Sequence, residues 1–437
     1  MIKNSKKNQT LRTDLPIHNW YQFVLGFPPH LVRDYIKKFE IRKEDLILDP
    51  FCGTGTTNVE SSKCGISNYG IEANPISYFA SCVKTKLNLN LEELSTYLKY
   101  IIESTMLSFK QFEIKDNFSF LLEGSPTNLH PYSLNNIPRI SEEKQKLIPN
   151  GFISDKPLIK VLIMKEIINS ISDIDIRNFF KIVLANLIVN KAGNIGFGPE
   201  IYRTESKEDI DAINYFYTVA QKMIQDLELY KNSGEISHII HGDSRFIDKC
   251  LNDHLLGKIN YIITSPPYPN EKDYTRSTRL ENVLLDFINT KQDLRNSKEK
   301  LLRSNSRNIF VRDNDGDNIK NFPNICELAN KIEMRRIELN KNSGFEKLYH
   351  KIVLHYFGGM YLHLKSLKPY LAENAKLAYV VGDQMSFFRI NIPTANLLAE
   401  IADSSGYEIL EIELWRTRLA TATRQQLNEN VLILKNR

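Results

Sequence analysis

Ile259-Asn260-Tyr261-Ile262-Ile263-Thr264-Ser265-Pro266-Pro267-Tyr268 is the stretch whose reading decides the architecture. Its first five residues make a short, β-branched and aromatic run of the kind that forms a buried strand. Two prolines follow, so the chain leaves the carboxyl end of that strand through a rigid turn, where open α/β sheets bind their ligands. The prolines also remove two N–H donors and leave carbonyl oxygens that no local donor neutralises. Ser265 adds a hydroxyl oxygen and Tyr268 a flat aromatic face. An aromatic ring with an exocyclic amino group, such as cytosine or adenine, suits both features; an ordinary rigid loop is the other reading of such a turn.

A second anchor lies upstream. The apolar strand Leu46-Ile47-Leu48 runs directly into Asp49-Pro50-Phe51-Cys52-Gly53-Thr54-Gly55-Thr56-Thr57. Glycines two apart at a strand-to-helix junction allow positive φ and let a ligand approach bare backbone. Asn58 stands where a dinucleotide fingerprint wants its third glycine, which counts against nicotinamide or flavin. Tyr69-Gly70-Ile71-Glu72 reads as the next strand, ending in an acid about 20 residues beyond the glycines, the offset at which such sites place a carboxylate on ribose hydroxyls. Glu72 is the expected ribose ligand; an exposed loop glutamate is the alternative.

Ser265-Pro266-Pro267-Tyr268 resembles the catalytic motif of the amino-directed DNA methyltransferases, which methylate cytosine N4 or adenine N6. The nine residues Asp49 to Thr57 resemble that family's D-P-F-x-G-x-G-T motif for S-adenosylmethionine. Phe27-Pro28-Pro29-His30-Leu31-Val32 looks like the element that packs on the methionine part of that cofactor. The resemblance implies Ser265, Pro266, Pro267 and Tyr268 as catalytic residues. It implies Pro28, Asp49, Phe51, Cys52, Gly53, Gly55, Thr56, Glu72 and Asp243 around the cofactor, with Asp243 on the adenine amino group. Serine before Pro-Pro-Tyr is similar to the cytosine-N4 subgroup, and adenine N6 is the alternative product. Tyr268 is expected to stack on a flipped base while the Ser265 oxygen and Pro266 carbonyl accept from its amine. The cofactor motif preceding the catalytic motif departs from the commonest serine-type order, which leaves the place of target recognition open.

The fold expected is α/β, a doubly wound, mostly parallel Rossmann-like methyltransferase sheet with a terminal antiparallel strand pair and a largely helical insertion. Residues 1–15 read as a disordered tail, and residues 16–90 and 234–437 as a discontinuous catalytic domain. Residues 91–233 read as a helical insertion for target recognition, and 291–345 as a second insertion or mobile loop. Ile236 to Asp243 reads as a strand; Tyr407 to Leu414 and Asn430 to Leu434 make the terminal pair. Lys191 to Glu200 carries three glycines and reads as an irregular loop. With Lys191 and Arg203 beside it, it either follows a nucleic-acid backbone or is a plain connector. Arg276 and Arg279, in a polar loop after the catalytic turn, are either phosphate contacts or solvated arginines. Trp415-Arg416-Thr417-Arg418 is placed after the first terminal strand, able to face DNA.

Composition narrows the partners. The 437 residues carry a formal charge of +5 and a pI near 8.7, compatible with a polyanion without demanding one. Five scattered cysteines without a C-x-x-C pair indicate neither disulfides nor zinc, and reduced thiols imply an intracellular protein. None of them follows a proline, which counts against ring-carbon methylation of cytosine through a cysteine nucleophile. His238 and His241 lack a third ligand and read as structural, and Asp313 to Asp317 lacks the spacing of a calcium loop. No signal peptide or membrane span is read, so the expected location is cytoplasmic. The partner expected is double-stranded DNA, with a cognate restriction endonuclease as functional counterpart. An RNA base methyltransferase, a protein glutamine methyltransferase and a nucleic-acid-binding protein with a vestigial site are the competing readings.

Overall fold

The computed structural model describes residues 11–21, 26–118, 129–198, 200–231, 237–419 and 425–437. Seven strands form one sheet: β1 (Ile47–Asp49), β2 (Asn68–Glu72), β5 (Ser237–His241), β6 (Ile259–Thr264), β7 (Leu371–Gly382), β8 (Tyr407–Leu419) and β9 (Gln426–Asn436). Their order is β5-β2-β1-β6-β7-β9-β8, parallel from β5 to β7 and antiparallel where β9 meets β7 and β8. β3 (Ile195–Phe197) and β4 (Ile201–Arg203) make a separate antiparallel pair. From β1 the chain proceeds outward to β2 and β5 on one side, while β6 and β7 lie on the other. The junction of β1 and β6 is therefore the point where the winding reverses, and both sequence anchors follow its two strands.

Alternation along β7 shows how the sheet is covered. Leu377, Tyr379 and Val381 belong to the core under α13 (Tyr349–Leu367) and α14 (Thr394–Ser404). Ala378 and Val380 face Leu31, Val32, Tyr35 and Phe39 of α1 (Pro29–Lys38) and its cap. α2 (Thr56–Lys63) and α3 (Pro75–Lys84) complete the crossovers from β1 to β2 and onward.

The segment 91–233 holds α4 (Leu91–Gln111), α5 (Glu142–Leu147), α6 (Asp155–Asn169), α7 (Ile174–Leu187) and α8 (Ala212–Glu228). α7 buries Phe179, Phe180, Ile182, Val183 and Leu184 completely, and the same core takes in Ile76, Phe79 and Val83 of α3. These helices thus extend the layer on that side of the sheet.

Four expectations need correction. Residues 11–15 of the supposed tail form an ordered turn in which Asp14 is fully buried, accepting from Leu11 N at 2.8 Å and His30 Nδ1 at 3.0 Å and pairing with Arg33; residues 1–10 lie outside the described residues. Asp226 of α8 fixes the next residues, accepting from Ile17 N at 3.0 Å and Trp20 Nε1 at 2.9 Å. The glycine-rich segment after α7 is a turn of π-helix (Ile188–Ala192) and the β3-β4 hairpin, because Ile195 pairs with Arg203 and Phe197 with Ile201. Of the two readings of residues 291–345, the loop gives way: they carry α11 (Lys291–Glu299) and α12 (Pro323–Glu338) with built turns between them, after α9 (Tyr274–Ser277) and α10 (Arg279–Leu284). Arg303 grips both oxygens of Asp313 at 2.8 Å and Arg245 reaches Asp315 at 2.7 Å, which holds the turns, while Ile325, Ala329 and Ile332 seat α12 on the core. Finally, Trp415 to Arg418 lie inside β8, since pairing with β9 continues to Leu419 opposite Gln426.

Candidate active site at the switch point

The two strand ends are tied together beneath the site. Asp49, the last residue of β1, is fully buried, and its Oδ1 accepts from Thr264 Oγ1 at 2.6 Å and from Phe51 N at 3.1 Å. Thr57 Oγ1 donates to Ile263 O at 3.0 Å. Asp49 Oδ2 has no hydrogen-bond partner among the described residues, and burial pushes the carboxyl up to about 6. Between these ties the chain turns through Gly53 (φ +53°) and Gly55 (φ +81°). At Gly55 a Cβ would stand 2.9 Å from Ser81 Cβ, so only glycine lets α2 start there; at Gly53 no atom lies within 4 Å of an added Cβ.

Both turns open into one cavity of about 760 Å³. Phe51, Cys52, Gly53 and Thr56 line it from the glycine turn, and Ser265, Pro266, Pro267 and Tyr268 from the proline turn. Glu72 and Asp243 line it from the ends of β2 and β5. Glu72 takes hydrogen bonds from Gly53 N at 2.8 Å and Asn74 N at 2.7 Å. Burial, with the Asp49 charge adding to it, outweighs these donors and pushes the Glu72 carboxyl up to about 7. Ser265 Oγ donates to Val380 O at 3.0 Å, which leaves its lone pairs free to accept. Tyr268 is half-buried, with its hydroxyl donating to Glu429 Oε1 at 3.1 Å.

The remaining sequence candidates stand elsewhere. Pro28 does not line the cavity, although its neighbour Phe27 does; Asp49 and Gly55 lie behind its wall. Lys191, Arg203, Arg276 and Arg279 are outside it. Arg203 donates to Ser206 Oγ at 2.8 Å and Arg279 to Thr275 O at 3.1 Å.

Several residues that no motif marks complete the site. Arg245 is 6% exposed and binds both oxygens of Asp243, with its Nη2 at 2.6 Å from Oδ2. His363 is fully buried: its Nδ1–H donates to Ser244 O at 2.7 Å, and Nε2 accepts from Tyr379 OH at 2.7 Å. Burial drives its pKa down to about 4, so it is a neutral brace between α13, β7 and the loop after β5. Trp415, Arg416, Arg418 and Glu429 of the β8-β9 hairpin form a further wall. Of these, the sequence singled out Trp415, Arg416 and Arg418 as able to face DNA, and the i, i+2 spacing of Asp243 and Arg245 could have signalled that pair, but nothing near Glu429 or His363 marks either.

A carboxylate beside bare glycine backbone and an acceptor-rich aromatic corner, in one cavity, fit a nucleoside-bearing donor next to a planar amine. Comparison with known proteins points the same way: residues 2–80 match the N6/N4 family described as DNA methylase. The family match and the Type II methyltransferase relatives support an amino-methyltransferase family for this chain. It is 28% identical over 460 residues to the Type II methyltransferase M.BsoBI of Geobacillus stearothermophilus, covering 96% of this chain and 83% of that one. It is 24% identical over 439 residues to M.AvaI of Nostoc sp., covering 94% and 83%. Against M.MvaI of Kocuria varians the figures are 21% over 317 residues, 68% and 64%.

The tie between β1 and β6 sets the spacing of the two corners. Thr264→Val removes the donor to Asp49 while keeping the shape of the side chain. The expected loss is about 1–2 kcal/mol of unfolding free energy in urea melts, because a buried carboxyl loses a partner; an unchanged midpoint would show that the bond contributes nothing.

Proposed function

We propose that this protein transfers a methyl group from S-adenosylmethionine to the exocyclic N4 of a cytosine everted from duplex DNA, as the modification enzyme of a restriction-modification pair. The observation that carries the reading is the shared cavity, which sets the glycine turn and the Ser-Pro-Pro-Tyr turn face to face. Gly53, with open space at its α-carbon, Glu72 and Asp243 suit the nucleoside part of that cofactor, and Phe27 and Phe51 add apolar walls. The cofactor supplies a methyl group already activated on a sulfonium.

The chain's own residues have mainly to orient and exclude. Tyr268 stacks on the everted ring and recovers part of the cost of unstacking. The Ser265 hydroxyl oxygen and the Pro266 carbonyl accept from the amino group, which turns its lone pair out of ring conjugation. The same oxygens lie against the positive charge that grows on the nitrogen. No strong base or nucleophile is required. Target recognition is assigned to the segment 91–233, because the β3-β4 connection brings Gly198 and Glu200 to the cavity wall. Lys191, Arg203, Arg276 and Arg279 are proposed phosphate contacts around it. Serine before Pro-Pro-Tyr supports cytosine N4, and the Type II names of the relatives support the restriction context.

Mass spectrometry of nucleosides, after incubating unmethylated duplex DNA with the protein and S-adenosylmethionine, is expected to show N4-methylcytosine. N6-methyladenine instead would change the base, and label only in RNA would change the substrate. Tyr268→Ala is expected to lower turnover at least 100-fold, since stacking is worth about 1–3 kcal/mol per base and orientation is lost with it. Cofactor affinity by calorimetry should stay within about threefold; an equal fall in both would assign the residue to the fold. Glu72 is protonated below about 7 and anionic above it, and a ribose diol donates better to the anion. Cofactor affinity should therefore tighten about 5- to 10-fold from pH 6 to 8, and Glu72→Gln should remove that part of the pH dependence. The same pH slope in both proteins would exclude Glu72 as the ribose ligand.

A further inference from the structure

Glu429 belongs to none of the sequence motifs, yet it stands at the cavity wall beside Tyr268. The sheet explains how it gets there. Gly382 of β7 pairs with Glu429 of β9, and Glu429 with Arg416 of β8, so three neighbouring strands present these residues at one level. Glu429 is 7% exposed; its Oε1 takes the Tyr268 hydroxyl at 3.1 Å and its Oε2 takes Arg416 Nε. Gly382 makes room for the ring, since an added Cβ would stand 3.2 Å from Tyr268 Cε2. The phenol oxygen is the far end of a side chain with two free torsions, so a bond at that point fixes the plane of the ring with the longest lever. A carboxylate makes the bond charge-assisted, and Arg416 compensates the buried charge.

We infer that Glu429, backed by Arg416, is a positioning residue that pins the Tyr268 phenol and so holds the ring in the plane on which an everted nucleobase stacks. The inference rests on the methyltransferase reading given above. It makes the β8-β9 hairpin part of the catalytic apparatus, because a base stacks productively only on a ring whose plane is set before it arrives.

A double-mutant cycle tests it, with labelled methyl incorporation into unmethylated phage DNA as the rate and calorimetry for S-adenosylmethionine. Tyr268→Phe keeps the stacking face and removes only the pinned hydroxyl; it should lower kcat roughly tenfold with cofactor Kd within about twofold. Glu429→Ala should do the same, and the double variant should be no slower than the slower single one. Glu429→Gln, which keeps an oxygen for the phenol, should recover most of the rate. Losses that multiply toward 100-fold, or a Tyr268→Phe rate within twofold of the parent, would overturn the inference. A parent protein that binds the cofactor but labels no DNA would sink the substrate reading alone. The contact is then judged from urea midpoints of the same variants: non-additive shifts keep it and additive shifts overturn it.

Discussion

The hydrogen bond between Thr264 and Asp49 is the constraint from which the site follows. It joins the last residue of β1 to the last residue of β6 inside the sheet, 2.6 Å apart and out of reach of water. Two turns that leave adjacent strands from a common tie must open on the same side. The glycine turn contributes bare backbone and the proline turn bare carbonyl oxygens, which are complementary ways of leaving polar backbone exposed to a ligand. A second Asp49 oxygen without a partner among the described residues, and the raised pKa, are the cost of placing a carboxyl at the crossing point.

Around that tie the electrostatics divide by depth. Glu72 and Asp243 reach the cavity already held, the first by backbone N–H groups and the second by Arg245. Their orientation is therefore set before any ligand arrives, which lowers the ordering cost of binding. His363 works further back as a neutral brace, and its partners Ser244 and Tyr379 connect the wall that carries Asp243 to β7.

The two corners were legible in the sequence because their chemistry is local. Glycines at 53 and 55 and prolines at 266 and 267 commit the backbone wherever the rest of the chain goes. The mostly parallel sheet with its terminal antiparallel pair was legible too, because apolar runs mark its strands one by one, whereas their order in the sheet was not. What was not legible depends on partners far away along the chain. Glu429 meets Tyr268 across 161 residues, and nothing near either one marks the other. Asp49 sits in a ligand motif and reads as a ligand contact, while its side chain turns inward to Thr264. Within residues 291–345 the period is short, carried by Ile325, Ala329 and Ile332 of α12, while arginine–carboxylate clamps shape the turns between α11 and α12. Arg416 and Arg418 make the end of β8 look like a loop, and they are charged where that strand lines the cavity.

The position of β9 also has a bearing on biosynthesis. β8 leaves the ribosome before β9, yet β9 is the strand that lies between it and β7. During that interval β8 has no ladder to join, and Leu410, Ile412 and Leu414, which stay exposed even in the finished sheet, are open to off-pathway pairing. Over the same interval the Tyr268 hydroxyl lacks the carboxylate it meets in the folded chain, because residue 429 has yet to thread into place.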